Sequence, residues 1–163
     1  MKLVIQRTQG PVRIVCRDGE KLLHEDQFEG AGLVVLMGWT QADAQAGWEE
    51  KQRWLLTRTE GLRVFPDAQG RMNLNLEAYL ESAKTTGGIL WVSQFTLAAE
   101  LESGFRPSFI NALAPDLART RFEDFVIKQS AETRPYKQIF GKFGSDMELQ
   151  FTNWGPVTIP LEK

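Results

Sequence analysis

Apolar and polar positions change period several times along this 163-residue chain. Residues 2–8 (KLVIQRT) and 11–16 (PVRIVC) alternate and are rich in β-branched side chains, which predicts two strands on either side of Gly10-Pro11. Residues 33–37 (LVVLM) form a short apolar run bounded by glycine, the signature of a buried strand. From Asp43 to Thr59 the period lengthens. Ala44, Trp48, Lys51 or Trp54, and Leu55 recur at helical spacing with polar residues between them. Leu62 to Phe65 reads as a strand, stopped by the turn Pro66-Asp67-Ala68-Gln69-Gly70. Residues 89–97 (ILWVSQFTL) predict the central strand. Residues 115–131 predict a second helix, with Pro115 in its first turn and Leu117, Phe122, Phe125 and Val126 on one face. Residues 146–152 alternate through Met147, Leu149 and Phe151, Asn153-Trp154-Gly155 breaks the run, and Val157 to Leu161 resumes extended chain.

Strands outnumber helices, and short turns join most neighbours. The expected fold is α+β: a single domain over residues 1–163, of largely antiparallel β-sheet in a sandwich or half-barrel, flanked by two main helices. The glycine pairs Gly30/Gly32 and Gly87/Gly88 punctuate this domain without dividing it. Of the five tryptophans, Trp48 and Trp54 suit the buried face of the first helix and Trp91 the central strand, whereas Trp39 and Trp154 fall in turn-like, more exposed positions.

Composition adds a class. With 42% hydrophobic and 25% charged residues the chain is an ordinary soluble globular protein. A net charge of −2 argues against broad phosphate-driven binding, and no DNA partner is expected. Basic residues do gather locally: Arg119, Arg121, Lys128, Arg134, Lys137 and Lys142 face only Glu123, Asp124 and Glu132 over that stretch, as a solvated helix face or a local patch. The lone Cys16 lies in an alternating apolar stretch and reads as a small core residue; it fits a reducing compartment. The N-terminal apolar run is broken by Gln6 and Arg7, too early for a signal-peptide core, and no run is long enough to cross a membrane. A cytoplasmic location without a membrane partner is expected.

The chemistry is sparse. His24 is the one histidine, so no Ser-His-Asp or Cys-His triad assembles. HExxH, paired CxxC, Asp-rich loops and glycine-rich phosphate cradles do not occur, so neither metal nor cofactor is expected. An enzyme built from this sequence relies on backbone donors, hydroxyls and positioning.

Several segments together carry a resemblance: Val4-Ile5-Gln6-Arg7, Met72-Asn73-Leu74-Asn75, Ser93-Gln94-Phe95-Thr96-Leu97-Ala98-Ala99, Gly104-Phe105-Arg106-Pro107-Ser108-Phe109, the run from Gly141 to Met147, and Asn153-Trp154-Gly155-Pro156-Val157-Thr158. In order and spacing the chain resembles the D-aminoacyl-tRNA deacylase family from end to end. It departs in having Trp154 where the family usually has an acidic residue, Phe105 where methionine is commoner, and longer segments at 17–29 and 77–88. The resemblance implies hydrolysis of the ester between a D-amino acid and the tRNA 3′ end, with glycine mischarged on tRNA as a further substrate. It implies a homodimer with its active sites at the interface, and a Gly155-Pro156 bond in cis that enters the partner's pocket. An X-Pro bond gives up little in adopting cis, and glycine leaves backbone carbonyls bare for close approach. Such a pair would bind the ammonium and leave no room for an L side chain, reading chirality by exclusion. Ser93, Gln94, Phe95 and Thr96 are the candidate catalytic segment, with the Thr96 N–H facing the oxyanion and Gln94 and Thr96 on one side of the strand. The terminal 2′-OH of the tRNA is implied to assist, in place of a histidine base.

Arg7 is the candidate that orients the Gly155-Pro156 loop, Met147 and Phe143 serve as pocket or core packing, and Arg106 either contacts the tRNA backbone or braces its loop. Trp154 would stack on the terminal adenine or contact the partner. Two other readings stay open at this point: a non-catalytic tRNA- or RNA-binding relative, and a dimeric interaction module that keeps the fold.

Overall fold

The computed structural model describes residues 1–102 and 104–163. Its elements, in chain order, are β1 (Lys2–Asp18), β2 (Lys21–Phe28), β3 (Ala31–Gly38), α1 (Trp48–Glu60), β4 (Phe65–Pro66), β5 (Met72–Leu74), α2 (Leu76–Ala83), β6 (Gly87–Ser93), α3 (Pro115–Ala131), β7 (Lys137–Phe140) and β8 (Asp146–Glu162). Short 3-10 turns at Gln41–Asp43 and Phe95–Ala98 complete it.

β1 is the spine. The two strands predicted for residues 2–8 and 11–16 are one continuous strand, bent where Gly10 adopts φ 80°. Its first half lies between β3 and β8, its second half between β2 and β8, and all three pairings are antiparallel. The register opposite β8 slips between Gln9 and Arg13, so the bend is matched by an irregularity in the partner. β3, β6 and β7 continue the sheet in parallel, with α1 and α2 lying between β3 and β6 in the chain and α3 between β6 and β7. The result is an α+β domain around a mixed, nearly barrel-like sheet. The antiparallel expectation holds for β1 and its neighbours; the far half of the sheet is parallel.

Strand alternation divides the interior in two. Odd positions (Leu3, Ile5, Leu33, Val35, Met37, Ile89, Trp91) face the helices and meet Leu55, Leu76, Leu80, Phe122 and Phe125. Even positions (Val12, Ile14, Cys16, Val34, Leu90, Val92) face the other way, onto Phe28, Ile139 and the half-buried Met147, Leu149 and Phe151. The bent half of β1 thus folds back over the rear of the sheet. Gly32 and Gly88, neighbours across the β3–β6 pair, make room for this closure. A Cβ on Gly32 would lie 2.5 Å from the Phe28 ring, and one on Gly88 would lie 2.7 Å from it. These glycines are a seat for an aromatic ring, not punctuation.

Two segments that the sequence pattern left unassigned gain elements, and two expectations are corrected. Segment 17–29 is mostly strand, because Lys21–Phe28 completes an antiparallel hairpin with β1. Segment 77–88 contains most of a third helix, α2, capped by the Asn75 side chain accepting from the Ala78 N–H at 3.0 Å. Trp39 is buried, edge-on to Phe122 at 6.4 Å. On α3 the buried face is Ala118, Arg121, Phe122, Phe125 and Gln129, while Leu117 is exposed. The basic stretch around α3 is not a free patch. Arg121 donates to the Asp43 carbonyl and stacks on Trp48, Arg134 pairs with Glu60 and Glu132, and Lys137 pairs with Asp26.

Candidate active site

The predicted strand 89–97 ends early, at Ser93. The reason is the loss of neighbours: the last pair with β3 is Met37 with Ser93, and the last with β7 is Phe140 with Trp91. Without a ladder to continue, Phe95–Ala98 closes into a 3-10 turn. The Gln94 N–H still donates to the Met37 carbonyl at 2.7 Å, which ties the turn to the end of β3. Gln94 and Thr96 do come together, but through the turn and not through strand alternation: Gln94 Nε2 donates to Thr96 Oγ1 at 2.5 Å. Gly38 allows the close approach, since a Cβ there would lie 2.6 Å from the Gln94 carbonyl oxygen.

Beside this turn a cleft of about 460 Å³ opens toward the start of α3. Ser93, Phe95, Phe109, Leu113, Arg119 and Phe143 are among its walls. Phe95 and Phe109 meet edge-to-face at 4.9 Å, and the Arg119 guanidinium lies 4.9 Å from the centre of the Phe143 ring. Phe95 is 56% exposed, a large apolar group open to solvent at the mouth of a polar turn.

A second cluster forms around Gly155 and Pro156, whose peptide bond is cis. Arg7, buried on β1, donates through Nε to the Trp154 carbonyl at 3.0 Å and through a terminal nitrogen to the Val64 carbonyl. Its guanidinium also lies 4.4 Å from the centre of the Trp154 ring, and burial pulls its pKa below the usual value. A buried arginine needs partners, and here two carbonyls and an aromatic face supply them. Trp154 is half-buried and packs on Phe65 and Tyr79, with ring centres 6.3 and 5.9 Å away. The Asn153 side chain accepts from the Val157 N–H and donates to Thr158 Oγ1, both at 3.2 Å, closing the loop from its other end. Gly155 has φ 125°, and a Cβ on it would lie 2.6 Å from Arg7 and 3.0 Å from Val157. Gly155 and Pro156 themselves face outward.

Within one chain these clusters stay apart. The Gln94 turn sits at Gly38, which pairs with Lys2, while Gly155 sits at Arg7. Five residues of strand separate Lys2 from Arg7, roughly 17 Å. Met147 packs on the second core, against Ile14 and Gly141, and not in the cleft. Arg106 is on an exposed loop without a hydrogen bond or ion pair among the described residues. Sequence reading missed Phe109, Leu113 and Arg119 as cleft walls and Phe65 and Tyr79 as supports of Trp154. Phe109 closes the RPSF segment and carried a signal; the others are joined to the site only by packing.

The fold and these two clusters define a small α+β protein whose polar strand-end turn and bare Gly-Pro loop suit recognition of a compact substrate without a histidine. Residues 4–162 match the profile of the D-Tyr-tRNA(Tyr) deacylase family, and the chain belongs to that family. It is 40% identical over 163 residues to a D-aminoacyl-tRNA deacylase of Marinomonas sp. (strain MWYL1), covering 99% of this chain and 100% of the relative. It is 44% identical over 132 residues to one from Janthinobacterium sp. (strain Marseille), covering 81% and 80% of the two chains. Among solved structures it resembles the c-Myc DNA Unwinding Element Binding Protein (TM-score 0.74, 29% identity, 100% and 99% of the chains covered). It also shares its fold with a probable eukaryotic D-amino acid tRNA deacylase (TM-score 0.67, 16% identity, 99% of each chain).

Proposed function

We propose that this chain hydrolyses the ester linking a D-amino acid to the 3′ end of tRNA, releasing the free amino acid and reusable tRNA. The observation that carries the reading is the Gly155-Pro156 loop: exposed, stripped of a side chain at Gly155, and clamped by Arg7 and Asn153 so that its backbone cannot retreat. A rigid bare backbone of this kind can accept the substrate ammonium while leaving no space for an L side chain.

Thr96, Gln94, Phe95 and Ser93 form the reacting end in this reading. The N–H groups that open a helical turn have no acceptor within it, which frees those of Phe95 and Thr96 for the carbonyl oxygen as it gains charge. Water adds to the ester carbon, the bond to the tRNA 3′ oxygen breaks, and that oxygen leaves with a proton. Arg106 meets the tRNA from its loop, and Met147 keeps its place in the second core. Because the Gly155 loop and the Thr96 turn lie far apart in one chain, the complete site takes Gly155 and Pro156 from a second copy, as a homodimer. The exposed Phe95, Phe105, Phe109 and Ile110 around the turn offer that copy an apolar seat. Action on tRNA fits a cytoplasmic protein; no helix among the described residues is long and apolar enough to cross a membrane.

The test is deacylation of matched D-tyrosyl- and L-tyrosyl-tRNA in the presence of EDTA, beside Gly155→Ala and Thr96→Ala variants. Loss of the D ester alone is expected, slowed at least tenfold by either substitution. A folded protein that cleaves neither ester would remove the enzyme reading and leave an RNA-binding role.

A further inference from the structure

We propose that the groove between α1 and the end of β8 holds the phosphate backbone of the tRNA, apart from the site that would receive its 3′ end. This rests on the deacylase reading and adds to it a second, purely electrostatic contact.

The groove has a volume of about 980 Å³, and Arg53, Trp54, Arg58, Arg63, Leu161 and Lys163 are among its walls. Several cations elsewhere on the chain are neutralised. Arg13, Arg71, Arg119, Arg134 and Lys137 all sit beside carboxylates. Arg53, Arg58, Arg63 and Lys163 pair with none among the described residues. What holds Arg58, Arg63 and Lys163 is neutral. The Arg58 guanidinium and the Lys163 ammonium lie 5.1 and 5.4 Å from the centre of the Trp54 ring. Arg63 donates to the carbonyl and side chain of Asn73, through Nε at 2.6 Å. Aromatic faces and amides orient a cation without cancelling its charge.

One negative charge faces these cations inside the groove: Glu50 is among its walls, and Lys51 beside it is paired with Asp43. Glu162 falls between Leu161 and Lys163, and strand alternation turns it to the opposite face. The chain as a whole carries −2, so this concentration of positive charge is local and not a reflection of composition.

Position also fits. Leu161 in the groove wall pairs with Leu3, Leu3 pairs with Met37, and the Met37 carbonyl holds the Gln94 N–H. Three strand spacings, roughly 14 Å, therefore separate the groove wall on β8 from the end of β6, which carries the Thr96 turn. An elongated polyanion entering the turn by its end would pass within reach of these cations. Arginines grip phosphates through two parallel hydrogen bonds, and a row of them suits an extended chain of charges better than one small anion.

The test uses uncharged tRNA, titrated against the whole protein between about 50 and 200 mM KCl, a range over which phosphate neutralisation dominates the change in affinity. Arg53→Ala/Arg58→Ala is compared with wild type and with Arg17→Ala, a surface change at the far end of β1. Each phosphate that a variant no longer neutralises lowers the slope of log K against log salt by roughly 0.7–0.9. The double variant is expected to fall by about 1.5 in slope, and Arg17→Ala not at all. An unchanged slope in the double variant, or no salt-dependent binding by wild type, overturns the proposal. So does a change in sedimentation showing that the groove seats a second copy. Because the probe carries no ester, a protein that failed to deacylate would sink the enzyme reading and still leave the groove result to be read.

Discussion

Asp43 shows how much one side chain can be asked to hold. It is buried, and accepts from the Met1 ammonium, the Thr40 N–H, the Thr40 hydroxyl and Lys51. Burial alone would raise its pKa, but these donors together bring it from 3.8 down to about 2. A carboxylate whose folded pKa is depressed adds stability above its unfolded value and loses it as pH falls through the folded one. Asp43→Asn is therefore expected to be less stable than wild type by about 2 kcal/mol at pH 6, with the gap closing between pH 4 and 2; paired urea titrations read it directly. Single residues are also where the sequence was most and least legible. Arg7 announces itself as a costly interior charge in an apolar strand. Its partners at Val64 and Trp154 lie 57 and 147 positions away, and nothing local points to them. Trp154 looked like an exposed turn residue because neither Phe65 nor Tyr79 is near it in sequence.

Among the elements, alternation and helical period placed β1, β3, α3 and both arms of β8. They failed at boundaries decided by neighbours. β6 stops at Ser93 because its pairing with β7 ends at Trp91 and its pairing with β3 ends at Ser93, although ILWVSQFTL would serve as strand throughout. α2 lies mostly in the long segment 77–88, which the sequence pattern left unassigned. Its eight residues are too few for a clear helical period, and the Asn75 cap was the remaining signal. The glycine seat of Phe28 is a matter of how elements meet as well. Gly88→Ala would drive a methyl into the Phe28 ring and the Lys137 carbonyl. Overpacking of this kind costs about 1–3 kcal/mol, and the loss should appear as a lower denaturant midpoint. Adding Phe28→Ala should produce a double variant whose loss is not the sum of its parts.

For the whole molecule, the distance between the Thr96 turn and the Gly155 loop gives a sharper test of the proposed two-chain site than any single variant. Thr96→Ala and Gly155→Ala proteins, each slow alone, should recover activity when mixed and allowed to exchange subunits. In a mixed dimer one site receives both intact residues and the other neither, so random pairing restores about a quarter of wild-type turnover. No recovery, with exchange confirmed by sedimentation of labelled chains, would place both residues in one chain's site. Global charge was the weakest guide to the assembled surface. The basic run near α3 is dense along the chain, yet Arg121 is buried against the Asp43 carbonyl, and Arg134 and Lys137 are paired with carboxylates. The unpaired cations of the α1 groove are scattered from Arg53 to Lys163 and meet only when the sheet closes.

That closure has a timetable. β1, the first strand made, takes β8, the last, as its partner along nearly its whole length, from Lys2 opposite Glu162 to Arg17 opposite Asp146. Contacts between such distant parts of a chain form slowly. During synthesis the emerging protein must therefore carry the open flank of β1 until its final strand leaves the ribosome. A message cut short before the codon for Asp146 would yield a chain that can never cover it, and bare strand flanks are what aggregation uses and what chaperones and proteases have to deal with.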